Sequence, residues 1–93
     1  LAAILEMTTP AFEDCPPESP VVTSYDERHF VTYLRLLDAA AEAADWQEVV
    51  RIVFGLDPEM DPGRARLVYD THLSRARWMT EKGYRDLLRA SRN

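Results

Sequence analysis

The sequence holds a single cysteine, Cys15, so no internal disulfide can brace the fold, and a reducing cytoplasmic setting is expected. Glycine is scarce: three residues, isolated at positions 55, 63 and 83, leave no glycine-rich loop to cradle a phosphate. No apolar run approaches the roughly 18 residues of a membrane span. The apolar opening Leu1-Ala-Ala-Ile-Leu-Glu-Met7 lacks the basic flank of a signal peptide. Metal-binding side chains are equally sparse, since Cys15, His29 and His72 lie far apart and a metal centre needs three or four that converge. Cys15 stands among acids that oppose a reactive thiolate. His72 falls on an apolar helix face and reads as structural. Neither an enzyme, nor a cofactor or small-molecule ligand, nor a membrane partner is expected.

What is present is ordinary globular material, 46% hydrophobic and 29% charged, in a chain of 93 residues, enough for one small domain. The net charge is −5, a sign that opposes non-specific attraction to nucleic acid. That charge is unevenly spread. Residues 1–24 carry −4, residues 25–62 carry −6, and residues 63–93 carry +5.

Four of the six prolines, Pro10, Pro16, Pro17 and Pro20, fall before residue 24 and exclude a continuous helix or a central strand there. Residues 1–23 therefore read as an extended, acidic, proline-containing arm, flexible unless Phe12, Val21 or Val22 docks. Residues 24–93 read as a helical domain. Ser24-Tyr-Asp-Glu27 has capping-box spacing, and Phe30, Tyr33, Leu34, Leu37, Ala40, Ala41 and Ala44 then form one helical face. Asp45-Trp-Gln-Glu48 starts a second helix, with Trp46, Val49, Val50 and Val53 inward and Gly55 as its left-handed stop. Asp61-Pro62 starts a third. It runs to about Lys82, and Ala65, Val68, Tyr69, His72, Leu73, Ala76 and Met79 cluster within about 140° of its circumference. A short last helix is expected over Tyr84–Ala90, presenting Leu87 and Leu88. The expected fold is all-α: a bundle of three to four helices with a helix-turn-helix-like core.

The third helix carries the candidate binding residues. Arg64 and Arg75 border its buried face on one side, Arg66 and Arg77 on the other. Leu67, Thr71, Ser74 and Trp78 make a second stripe opposite the core. Trp and Arg are the commonest interface anchors, so these eight residues are the candidate partner-binding surface. In the alternative, the last helix folds back and buries Trp78. With its predecessor the third helix resembles a recognition helix, with Arg64 and Arg66 in its first turn. The connector of about six residues is longer than the usual three or four.

Tyr33-Leu-Arg-Leu-Leu-Asp38, Ala44-Asp-Trp-Gln-Glu-Val-Val-Arg-Ile-Val53, Asp57-Pro58, Arg64-Ala-Arg66 and the block from His72 to Leu88 together resemble domain-of-unknown-function family twenty-two eighty-five. The resemblance covers about residues 20–90. It implies a helix-turn-helix shape and, for an acidic chain with no partner domain, the QseM-like antiactivator type. Such proteins act by sequestering a LuxR- or TraR-type quorum-sensing activator and an FseA-type excision activator, which keeps a conjugative element silent. A transcriptional activator is then the expected partner, with direct DNA binding as the alternative.

Overall fold

The computed structural model describes residues 10–83, whose regular elements are all helical, with no strand among them. α1 (Ser24–Arg28) and α2 (Phe30–Ala41) are nearly one helix, interrupted at His29. α3 (Trp46–Val49) runs into a five-residue π-helical turn, Val50–Phe54. α4 (Pro62–Trp78) is the long element and continues as a second π-helical turn, Met79–Gly83. The expected last helix, Tyr84–Ala90, lies outside the described residues.

The starts of α3 and α4 follow their side chains. The Asp45 carboxylate accepts from Gln47 N–H, and the Asp61 carboxylate accepts from Arg64 N–H, with Pro62 in the first turn. α1 begins one residue earlier than the Ser24/Glu27 spacing suggests. Thr23 is the cap, its hydroxyl accepting from Asp26 N–H, and Asp26 rather than Glu27 reaches back to it. The shorter acid prevails because it is also engaged from the far side of the fold, as described below.

Two chain reversals use left-handed backbone. Gly55 closes the π-helical turn with φ +68°, and Leu56 N–H reaches back 3.2 Å to Val50 C=O. After α2 the same conformation falls on an alanine, Ala43, with φ +56°.

α4 packs across both α2 and α3. The main core joins Leu36 with Val49, Val50, Val53 and Phe54 against Ala65, Val68, Tyr69 and Leu73. A smaller cluster joins Tyr33, Ala76 and Met79. The inward residues of α4 match its sequence periodicity. α2 does not match: Phe30, Leu34 and Ala41 of the expected face are exposed. The buried side instead carries Tyr25, Asp26, His29, Thr32, Tyr33 and Leu36, a rotation of roughly a quarter turn. Three of those six are polar, and Asp26 and His29 find partners from distant parts of the chain, which a hydrophobic pattern does not register.

Residues 10–22 lie against the helices. Of the three residues on which docking was expected to turn, Phe12 and Val22 pack on the core and Val21 stays exposed. The Phe12 ring meets Phe54 edge-on, centroids 4.9 Å apart.

The two left-handed positions make opposite predictions. A Cβ at Gly55 meets nothing within 4 Å, so Gly55→Ala should cost about 1 kcal/mol through backbone strain alone. Ala43→Gly should stabilise by a comparable ~0.5–1 kcal/mol. Urea denaturation of the two variants checks both signs.

Candidate nucleic-acid interface

The orientation of α4 depends on one buried ion pair. Arg75 donates from Nε to Asp26 Oδ1 at 3.0 Å and from Nη2 to Asp26 Oδ2 at 2.7 Å. The two side chains are 9% and 0% exposed. Thr23 N–H, the Thr23 hydroxyl and the Tyr33 hydroxyl donate to the same carboxylate at 2.9, 3.0 and 2.8 Å. Burial by itself would raise the Asp26 pKa; the hydrogen bonds from Arg75, Thr23 and Tyr33 outweigh it and hold the group at about 2. Arg75 also donates to Ser19 C=O at 2.7 Å and Val21 C=O at 3.0 Å, which pins the incoming chain. Its guanidinium lies 3.8 Å from the centre of the Trp78 ring.

Two buried histidines hold the chain further upstream. His72 Nδ1 lies 2.8 Å from Val68 C=O and must donate to it, so Nε2 accepts from the Tyr25 hydroxyl at 2.7 Å. The Tyr25 oxygen in turn accepts from Glu13 N–H at 3.0 Å. His29 Nε2 donates to Ala11 C=O at 3.2 Å, while its Nδ1 has no partner among the described residues. Burial disfavours the charged form of both rings, lowering the pKa of His29 and taking His72 from the ordinary 6.5 to about 4. His72 is thus a neutral structural group, as its place on the apolar face suggested.

The eight candidate binding residues divide between three settings. On the flank facing the arm, Arg64 Nε donates to Asp14 Oδ1 at 2.8 Å, and the Thr71 hydroxyl lies 3.1 Å from Asp14 C=O and 2.7 Å from Leu67 C=O. Ser74, Arg75 and Trp78 line a groove there with residues 15–19. Arg75 is no surface group: its donors are engaged inside the fold. Trp78 is half-buried, between the exposed anchor and the buried core residue that the sequence left open. On the opposite flank Arg66 Nε donates to Asp70 Oδ2 at 3.0 Å. Its guanidinium lies over the Trp46 ring at 5.0 Å and the Tyr69 ring at 5.7 Å. Arg77 is exposed nearby in the helical repeat, and Leu67 and Ser74 face outward between the flanks. Asp14, Asp26 and Asp70 are the participants that the sequence reading missed. Only Asp70, four residues after Arg66, leaves a local signal. The other two act across 50 and 49 residues.

No group of three or more potential metal ligands converges among the described residues, and no helix among them is long and apolar enough to cross a membrane. The architecture is that of a helix-turn-helix-like domain: a short helix, a connector over residues 55–61 built on Asp57, and a long helix whose outward side bears arginines. Residues 2–89 match the RovC DNA-binding domain family, described as "T6SS, Transcription factor, DNA binding domain", and the chain belongs to that family. Comparison with curated proteins gives no match. The family match corrects the assignment to domain-of-unknown-function family twenty-two eighty-five with its QseM-like antiactivators. The expectation of LuxR-, TraR- or FseA-type activators as partners rested on that resemblance and goes with it. A transcription factor's DNA-binding domain corresponds to the alternative reading.

Two tests follow from the buried groups. Arg75→Leu leaves the Asp26 carboxylate buried without its counter-charge and should cost about 3–5 kcal/mol, measured by urea denaturation at neutral pH. The histidines set a pH dependence. With its folded pKa depressed to about 4 from 6.5, His72 is protonated more readily in the unfolded chain. Its contribution is therefore complete above pH 6.5 and is lost as pH falls towards 4. Urea midpoints at pH 7.5, 5.5 and 4.5 should fall in that order.

Proposed function

We propose that this domain binds duplex DNA as the DNA-contacting module of a transcription factor, with the outward side of α4 in the major groove. Family membership is the observation that carries the reading. The geometry supports it through the residues that α4 turns outward: Arg66, Leu67, Asp70, Ser74 and Arg77. Arg66 is the candidate base reader. Asp70 and the Trp46 ring hold its guanidinium in place before any ligand arrives. A bond through Nε leaves the end-on fork of the two terminal nitrogens for a second acceptor, and guanine O6 and N7 accept such a fork. Leu67 suits apolar contact with a thymine methyl, and Arg77 suits a backbone phosphate.

Net charge limits the strength of the interaction. Three of the four arginines bordering α4 are already opposed by Asp14, Asp70 and Asp26. Counterion release should accordingly be modest, equivalent to about two or three phosphates. Sequence-specific contacts then supply a larger share of the affinity than in a strongly basic domain.

The reading is tested by selecting from a random duplex library and measuring fluorescence anisotropy at several salt concentrations. Arg66→Ala should weaken the selected site by about tenfold to a hundredfold and relax preference at one base pair. Arg77→Ala should weaken all sequences alike and lower the salt slope by about 1. Failure to enrich any duplex, with wild-type protein folded by circular dichroism, would remove the reading.

A further inference from the structure

We propose that Arg64 is a backbone-phosphate contact on the arm-facing flank of α4, and that the Asp14 carboxylate occupies it in the free protein as a phosphate mimic. The proposal rests on the DNA-binding reading and adds an internal competitor to it.

Arg64 and Thr71 are seven residues apart, two helical turns, and project on the same flank. Both meet one residue of the arm. Arg64 Nε donates to the Asp14 carboxylate at 2.8 Å, while the Thr71 hydroxyl, 2.7 Å from Leu67 C=O, lies 3.1 Å from the Asp14 carbonyl oxygen and seats its backbone. A guanidinium is the group that most readily receives a phosphate oxygen in protein–DNA contacts. The carboxylate supplies the same charge sign and acceptor geometry. Arg64 and Asp14 are 44% and 49% exposed, so a duplex strand can reach the pair.

The arm is fastened on both sides of Asp14. Upstream, Ala11 C=O accepts from His29, Glu13 N–H donates to Tyr25, and Phe12 packs in the core. Downstream, Ser19 and Val21 carbonyls accept from buried Arg75. The Asp14 backbone is thereby held beside Arg64. Only its side chain has to rotate for a phosphate to take its place, and half-exposed ion pairs hold such side chains weakly. Glu13 and Glu18, both exposed on the same stretch, add like-charge repulsion towards an approaching strand. A duplex that fits the reading stripe of α4 displaces the carboxylate; a poorly fitting one is opposed by it. The arm would then raise discrimination between specific and non-specific DNA.

Four proteins compared by duplex anisotropy across a salt series test this: wild type, Asp14→Asn, Arg64→Ala and the double variant. Asp14→Asn should tighten non-specific binding by about threefold to fivefold. Arg64→Ala should lower the salt slope by about 1, and adding Asp14→Asn to Arg64→Ala should produce no gain. An unchanged affinity in Asp14→Asn overturns the proposal. So does an equal gain in the Arg64→Ala background, which would mark a general charge effect without exchange at Arg64. If neither wild type nor Asp14→Asn binds any duplex while both remain folded by circular dichroism, the DNA-binding reading itself falls and takes this one with it.

Discussion

The pairing of Asp26 with Arg75 joins the three parts of this molecule whose relative placement matters. Asp26 caps the backbone at the start of α1, Arg75 belongs to α4, and the spare donors of Arg75 hold the carbonyls of Ser19 and Val21. A charge pair removed from water is stable only if nearly every donor and acceptor is satisfied. Here the carboxylate has donors from Arg75, Thr23 and Tyr33, and the guanidinium has acceptors on two sides. That requirement accounts for features that otherwise look unrelated. The cap is Thr23 rather than Ser24, the polar side of α1 and α2 turns inward, and a proline-containing segment follows a defined path over α4.

The same path decides the electrostatics of the candidate interface. Acids from the arm, from α1 and from α4 itself leave the four prospective DNA contacts as one exposed cation, two half-exposed ion pairs and one internal brace. The net charge of −5 and the +5 of residues 63–93 are both true of the sequence. Neither describes the field at α4, because the acids that matter arrive from residues 14, 26 and 70. A surface of this kind favours a binding mode in which few contacts are made and each is positioned beforehand.

Local chemistry made much of the fold legible. Asp45, Asp61 with Pro62, and Gly55 mark boundaries because a cap, a missing amide and a left-handed turn each depend on one or two residues. The inward face of α4 was legible because its core residues are apolar and recur at helical spacing. The inward face of α2 was not, because Asp26, His29 and Thr32 occupy it while Phe30 and Leu34 point to solvent. Of the candidate site, the arginine frame of α4 was readable as a pattern, but the fate of each arginine was not.

The sequence by itself determined the all-α class, the order of the described helices, the core side of α4 and the presence of arginines around it. All of these follow from interactions within a few residues or from helical periodicity. Only the tertiary structure decided which arginine is a brace, which is opposed by the arm and which is exposed, and which side of α2 faces inward. Those outcomes are set by pairings across about fifty residues of chain, where the stabilisation of a buried charge depends on partners that no local pattern records.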